Sequence, residues 1–150
     1  MAYLVAHLDD AYLDRIARHF AALDPPYARP APATVTAQIM ERGRQLATRG
    51  DPSVRLPACA ACHGERLTGT LPAVPGLIGL PRDYLNAQIG AWRNGTRRAA
   101  EPDCMREIAR RLGEADLGAV TAYLASLTVP ADHAPAAPKA SLPLECGGRP

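Results

Sequence analysis

The sequence predicts an all-α fold, and three observations support that prediction. Apolar residues recur at the three- and four-residue spacing of a helix face, whereas no segment sustains the alternation of apolar and polar residues typical of a strand. Capping and helix-breaking residues bound the segments with this spacing. Hydrophobic residues make up 47% of the 150 residues, but aromatic residues only 5%. So few large aromatic side chains would hardly fill a core made of side chains alone. A bound apolar cofactor would fill that deficit within a single domain.

The first two predicted helices flank a proline-rich segment. Residues 11–23 form the first helix, whose apolar face consists of Leu13, Ile16, Phe20 and Leu23. Residues 24–33 contain four prolines, which favour an extended linker. The second helix covers residues 35–47 and contains Gly43, which costs about 1 kcal/mol relative to alanine. Close approach of another helix or a ring would explain this glycine; a merely tolerated glycine is the alternative.

Three more helices are predicted after a long loop. The loop covers residues 64–81; loops of this length are usually functional or disordered, and one wrapped on a cofactor would be ordered by it. The helices cover residues 82–92, 105–112 and 114–127, each with apolar residues on one side. Residues 130–150 are rich in alanine and proline without helical periodicity, so we expect a disordered tail there.

The folded domain is predicted to cover residues 34–129, and residues 1–23 resemble its C-terminal end. A shift of 104 positions superposes the apolar pattern of residues 1–23 on that of the last two helices, and Met1 on Met105. Two amphipathic helices in a chain rich in alanine and leucine can match by chance. The alternative is that residues 1–23 are the closing half of a preceding copy of the domain.

Charge and hydropathy exclude some classes of protein. The 17 basic and 15 acidic residues leave a net charge of +2, too small for a nucleic-acid footprint. Nothing approaches the 18 or so apolar residues that a membrane span requires. The first ten residues include His7, Asp9 and Asp10, so no export signal is visible.

The chemistry-bearing motif is Cys59-Ala60-Ala61-Cys62-His63, whose C-x-x-C-H spacing indicates covalent haem attachment. In one helical turn, the two thiols can add to the vinyl groups of a porphyrin while the imidazole points at the iron. A redox dithiol has the same C-x-x-C spacing, but no βαβ pattern accompanies it here. A zinc site needs four ligands, and the other cysteine and histidine residues show no second paired spacing.

A low-spin haem needs a second axial ligand, and methionine opposite histidine is the pairing that raises the reduction potential. Of the three methionines, Met1 and Met40 precede the motif. Met105 follows His63 by 42 residues, which is enough chain to pass around the ring edge. A methionine is more often a core filler, but its position makes Met105 the predicted ligand.

The order of the motifs resembles a class I cytochrome c domain, and more closely one domain of the dihaem cytochrome c4 family. The resemblance covers residues 35–128. It is carried by CAACHG at 59–64, PAVPGLIGL at 72–80, YLNAQI at 84–89, WRNGTR at 92–97, Met105, and LGEADLGAVTAYLASL at 112–127. It implies that the N-terminal and C-terminal helices cross, with Gly43 against the region of Tyr123 and Leu124.

The resemblance also implies roles for the cofactor-binding residues. Cys59 and Cys62 would attach one haem c, with His63 and Met105 as the iron ligands. Pro75 would belong to the loop that supports His63, and Arg97 would lie near the haem propionates. The residues that would line the haem pocket or its rim are Leu77, Tyr84, Gln88, Ile89 and Trp92. For the arginines, a solvated basic face is the alternative.

Two features depart from the family pattern. Cytochromes c4 have two complete haem domains, whereas this sequence shows one complete domain preceded by a segment that matches the end of another. Met1 would stand where the axial methionine of that other domain belongs. The second departure is Cys104, beside the predicted ligand: a small buried residue, a competing thiolate ligand and a bridge to Cys146 all remain open.

We therefore expect an electron carrier, not an enzyme, whose haem iron alternates between Fe(II) and Fe(III) in a respiratory chain. Its expected partners are a redox protein donor and a terminal oxidase or other acceptor, with peripheral association with a membrane complex and no nucleic acid. The alternatives are a haem subunit or fragment of a larger dehydrogenase or oxidase complex, and a five-coordinate haem sensor or peroxidase. Covalent haem implies a periplasmic or extracytoplasmic location.

Overall fold

The computed structural model describes residues 2–23, 26–27, 30 and 34–147, and this part of the chain is helical without a sheet. The all-α prediction is confirmed. The helices are α1 (Ala2–Val5), α2 (Asp10–Ala21), α3 (Ala37–Thr48), α4 (Cys59–His63), α5 (Arg82–Arg93), α6 (Cys104–Arg111) and α7 (Glu114–Ser126), with a short 3-10 helix at Pro52–Val54. Within the described residues, no helix is both long enough and apolar enough to cross a membrane.

Helices α3 and α7 form the principal helix contact of the fold. At their crossing, a Cβ atom on Gly43 would lie 2.2 Å from the carbonyl oxygen of Ala119 and 2.7 Å from the Cβ of Tyr123. The two backbones therefore approach too closely for any side chain at this position. The crossed helices and the packing of Gly43 against the Tyr123 region agree with the prediction.

The core lies between α3, α5 and α7 and the loops that join them. Its buried residues are Leu46, Ala47, Leu56, Leu67, Ile78, Leu85, Leu112, Val120 and Leu124. Arg42 links three parts of the fold on the outside, because its Nη2 lies 2.6 Å from Asp51 and 2.7 Å from Asp116. Hydrogen bonds from Ser53 and Arg42 lower the pKa of Asp51 to about 2, so this carboxylate stays charged in the fold.

The C-terminal segment differs from the prediction of a disordered tail. Residues 131–147 lie along the domain, where the backbone of Ala136 pairs with residues 69–71. A disulfide joins Cys146 to Cys104, with an S–S distance of 2.00 Å, so the bridge that the sequence left open is present. Backbone hydrogen bonds and a covalent bond order this segment. It has no amphipathic face that a periodic pattern could reveal.

Of the two N-terminal helices, α2 matches its C-terminal counterpart in length but not in burial, whereas α1 has four residues against eight in α6. Under the shift of 104 positions, α2 coincides with α7 except for the last residue of α7. Ile16 and Phe20 are 36% and 65% exposed, whereas their counterparts Val120 and Leu124 are 2% and 3% exposed. The assignment of residues 1–23 to a preceding domain stays a prediction. Met1 and most of the predicted linker 24–33 lie outside the described residues.

Candidate haem-binding site

The C-x-x-C-H motif forms a helix of its own. Cys59, Cys62 and His63 occupy positions i, i+3 and i+4 of α4, which places them on one side of a single helical turn. Neither of the two cysteines is in a disulfide, so both carry free thiols. The helix ends at His63, and Gly64 follows it with a φ of +84°, a conformation that favours glycine. At this residue the chain turns sharply into the following loop.

His63 is held in the form that can bind a metal. The side chain is buried, with 6% exposure, and its Nδ1 lies 2.7 Å from the carbonyl oxygen of Pro75. A carbonyl oxygen can only accept a hydrogen bond, so Nδ1 carries the hydrogen and Nε2 carries the lone pair. Burial lowers the pKa of His63, which keeps the imidazole neutral. A backbone carbonyl on the second ring nitrogen is the usual way that a ligating histidine is oriented.

The loop that supplies the Pro75 carbonyl is fixed around α4 by hydrogen bonds. The amide of Gly69 donates to the carbonyl of His63 at 2.9 Å, and the buried hydroxyl of Thr70 donates to the carbonyl of Cys62 at 2.9 Å. Further along, the amide of Leu77 donates to the carbonyl of Leu67 at 2.8 Å. The loop is therefore ordered by contacts with the motif helix, although it contains no helix of its own.

A second group of predicted residues lies at the end of α5. The guanidinium carbon of Arg97 is 4.2 Å from the centre of the Trp92 ring, and the same guanidinium donates a hydrogen bond to Gln88. The indole Nε1 of Trp92 is buried and has no hydrogen-bond partner among the described residues. A buried N–H donor without an acceptor costs free energy of folding. A carboxylate beside the Arg97 guanidinium could supply the acceptor that the indole Nε1 lacks. The propionate of a haem is such a group.

The comparisons with known proteins identify the family. The cytochrome c family model matches residues 40–128, which is more than half of the chain. The chain belongs to the cytochrome c family. The C-x-x-C-H motif on α4 is thus a haem c attachment site with Cys59 and Cys62 as the attached residues, and the zinc and redox-dithiol interpretations are set aside.

Relatives and solved structures agree with this assignment. A thiosulfate dehydrogenase electron acceptor from Thiomonas intermedia is 34% identical over 126 residues, which cover 84% of this chain and 57% of that protein. A thiosulfate dehydrogenase structure from Marichromatium purpuratum is 34% identical, with a TM-score of 0.70 over 81% of this chain and 25% of that one. Reduced cytochrome c4 from Pseudomonas stutzeri is 26% identical, with a TM-score of 0.71 over 83% of this chain and 64% of that one.

This cytochrome c domain is therefore an electron carrier that resembles one domain of a cytochrome c4. The chain spans 57% and 58% of the lengths of the two thiosulfate dehydrogenase electron acceptors that it matches. The predictions of family, covalent haem c and electron transfer are confirmed, whereas the iron ligands and the pocket residues stay predictions.

The remaining predicted residues of the cytochrome lie in different settings. Leu77 and Ile89 are half-buried and pack against the core, as does Cys59. Tyr84 is 47% exposed. Met105 is half-buried at the second position of α6, and α6 packs against α5, the helix that carries Trp92.

Burial also sets the state of the two thiols of the cytochrome. It raises the pKa of Cys59 to about 11, and it raises the pKa of Cys62 against an opposing effect of the nearby Lys139 ammonium. Both shifts favour the neutral thiol over the thiolate in a chain to which no haem is yet attached. This is the form in which S–H adds across a vinyl group.

Three further residues support the site without having been predicted. Thr70 binds the carbonyl of Cys62, and the Nζ of Lys139 lies 3.1 and 2.7 Å from the carbonyl oxygens of Ala60 and Ala61. Asp103, whose side chain is 1% exposed, caps α6 by accepting from the Arg106 amide. An aspartate just before a helix is a recognisable capping signal. No pattern in the sequence indicates the roles of Thr70 and Lys139.

Proposed function

We propose that this cytochrome relays single electrons through a haem iron bound by His63 and Met105. The observation that carries the proposal is the buried His63 imidazole, oriented by the Pro75 carbonyl beside two thiols that are not in a disulfide. A haem c bound there supplies one-electron exchange between Fe(II) and Fe(III). The protein contributes a neutral nitrogen ligand, two covalent attachments, and an indole and a guanidinium placed for a propionate.

The capping of α6 favours Met105 as the second ligand. The carboxylate of Asp103 accepts hydrogen bonds from the amides of Ala99 and Arg106, at 2.9 and 3.0 Å. These bonds fix the backbone of the turn that carries Met105, which supports its thioether as a ligand held by an ordered segment. Met40 lies instead in α3, upstream of the motif helix. A neutral thioether opposite imidazole stabilises ferrous iron and raises the reduction potential.

Replacing Met105 with leucine should open one axial position. We expect the ferric holoprotein to lose the long-wavelength absorption band of the iron–thioether bond. The ferrous form should gain rapid carbon monoxide binding, and the reduction potential should fall. Visible spectra, carbon monoxide titration and a spectroelectrochemical titration measure these changes. Met40→Leu is the matched control, since it removes a methionine that we do not place at the iron, and it should leave all three readouts unchanged.

Two outcomes would contradict this ligand assignment. The first is a Met105→Leu protein with the spectrum and potential of the unmodified cytochrome. The second is an unmodified cytochrome that binds carbon monoxide at once, because a vacant position would then exist without any substitution. That result would favour the five-coordinate sensor or peroxidase.

We further propose that the electron donor is the catalytic subunit of a dehydrogenase, and that a terminal oxidase or similar protein is the acceptor. Two relatives are named as electron acceptors of thiosulfate dehydrogenase, and a dehydrogenase structure contains a region of the same fold. The Cys104–Cys146 disulfide supports a location outside the cytoplasm, in the periplasm, because disulfides persist in oxidising compartments.

Thiosulfate dehydrogenase with its substrate should therefore reduce the ferric holoprotein. We expect the sharp ferrous absorption bands to appear within seconds when both thiosulfate and the dehydrogenase are present, and not when either is left out. A holoprotein that stays ferric, although ascorbate reduces it readily, would contradict this choice of donor. The assignment of the iron ligands would not be affected.

A further inference from the structure

We infer that residues 131–147 are a strap that positions Met105, with the Cys104–Cys146 disulfide as its latch. The inference rests on the proposed ligation of the iron by Met105. The strap makes one set of contacts with the motif helix and its loop, and another with the residues that immediately precede Met105. It therefore connects the parts of the chain that hold the two proposed iron ligands.

The first set of contacts lies beside His63. Arg66 binds the backbone oxygen and the carboxylate of Asp132, both at 2.8 Å. The amide of Ala136 donates to Gly69, and the carbonyl of Ala136 accepts from Leu71, both at 2.9 Å. Lys139 then reaches the two carbonyl oxygens of the alanines between Cys59 and Cys62. This end of the strap is thus joined to the helix that attaches the porphyrin.

The second set of contacts lies beside Met105. Cys146 is bonded to Cys104, the residue directly before the proposed ligand. The amide of Gly147 donates to the carbonyl of Pro102 at 2.9 Å. A Cβ atom on Gly147 would lie 2.2 Å from the carbonyl oxygen of Glu101, so the strap lies directly against this backbone. Backbone contact and a covalent bond thus fix residues 101–104 from outside.

These contacts give the strap a role that a simple tail would not have. Residues 94–103 form no helix, so the approach to Met105 depends on bonds made by individual residues such as Asp103. A thioether is a neutral ligand, and its bond to iron survives only while the segment that carries it stays in place. The disulfide closes a loop with a sequence separation of 42 residues, which restricts the excursions of that segment. Met105 is the ligand in this account, and Cys104, Cys146 and Lys139 are positioning residues.

The test removes the latch and measures how often Met105 leaves the iron. In the ferric holoprotein, cyanide replaces methionine at a rate limited by opening of the iron–thioether bond. For Cys104→Ser/Cys146→Ser we expect this rate to rise about tenfold, because local opening becomes easier while the fold persists. On heating, we also expect the long-wavelength band of this variant to vanish at a lower temperature than the one at which its Soret band changes. Both cysteines are replaced together so that no free thiol can bind the iron.

Two further variants make the result interpretable. Lys139→Met loosens the other end of the strap and should raise the cyanide rate by a smaller factor, of about two to five. Val120→Ala is the control for general loss of stability, because it leaves a cavity where the buried Val120 side chain of α7 fills the core. It should lower the unfolding midpoint and leave the cyanide rate unchanged. A merely structural disulfide would change the unfolding midpoint and leave the cyanide rate as it is.

Three outcomes would contradict the proposed role of the strap in positioning Met105. They are an unchanged cyanide rate in the double serine variant, an equal increase in Val120→Ala, and loss of the band only together with unfolding. Met105→Leu tests the underlying ligand assignment separately. If that variant keeps the spectrum of the unmodified cytochrome, the proposed iron ligand is wrong. If it loses the band while the double serine variant behaves like the unmodified protein, only the strap is wrong.

Discussion

Replacing Cys59 and Cys62 together with serine should yield a chain with no covalent haem. Both thiols lie on one turn of α4 and neither is in a disulfide, and the thioethers that they form are the covalent attachments of the cofactor. A hydroxyl does not add to a vinyl group in their place. When the chain is expressed together with the attachment machinery, haem staining after denaturing electrophoresis should fall to background. The pyridine haemochrome spectrum should give a haem-to-protein ratio near zero, against about one for the unmodified cytochrome.

The chain contains its own matched control for this experiment. Cys104→Ser/Cys146→Ser also removes two cysteines, but these are bonded to each other and do not belong to the motif helix. This variant should keep a haem-to-protein ratio of about one. Haem that survives denaturation in the Cys59→Ser/Cys62→Ser chain would contradict the attachment site. Equal loss of haem in both variants would show that the experiment measures folding and not attachment.

The helical part of the fold could be predicted from the sequence because its signals are local. The predicted helix 82–92 and the observed α5 differ by one residue, and α7 and the predicted helix 114–127 also differ by one. Apolar spacing and helix-ending residues act within one or two turns, so they can be recognised without knowledge of the tertiary contacts. The C-x-x-C-H motif could be recognised for the same reason, because its spacing fits a single turn of α4.

The parts that could not be predicted depend on contacts between distant residues. The strap pairs Ala136 with residues 69–71 and Cys146 with Cys104, and a sequence rich in alanine and proline gives no sign of either pairing. The contact between Trp92 and Arg97 could be predicted only in part. The resemblance implied both residues, but only the structure shows a buried indole nitrogen without a described partner beside a guanidinium. Such a polar atom can be found only when its surroundings are known.

Gly43→Ala should strongly destabilise the packing of α3 against α7. The added Cβ would lie 2.2 Å from the carbonyl oxygen of Ala119, and this neighbour is backbone in the middle of α7. Backbone inside a helix cannot move aside as the end of a flexible side chain can, so α3 and α7 would have to separate. We expect the free energy of unfolding to fall by about 3 kcal/mol or more, at the upper end of the cost of overpacking a core. Guanidinium unfolding of the holoprotein, followed by far-UV circular dichroism, measures the change.

Gly90→Ala provides the matched control, because it makes the same substitution inside another helix. Gly90 lies in α5, and among the described residues no atom outside its chain neighbours and its own helix backbone comes within 4 Å of the position that its Cβ would occupy. Alanine is favoured over glycine within a helix, so this variant should gain up to about 1 kcal/mol of stability. The two substitutions should therefore have opposite signs, although intrinsic helix propensity favours both. If Gly43→Ala also stabilised the protein, the helices could not cross as closely as the structure shows, since their contact at Gly43 leaves no space for a methyl group.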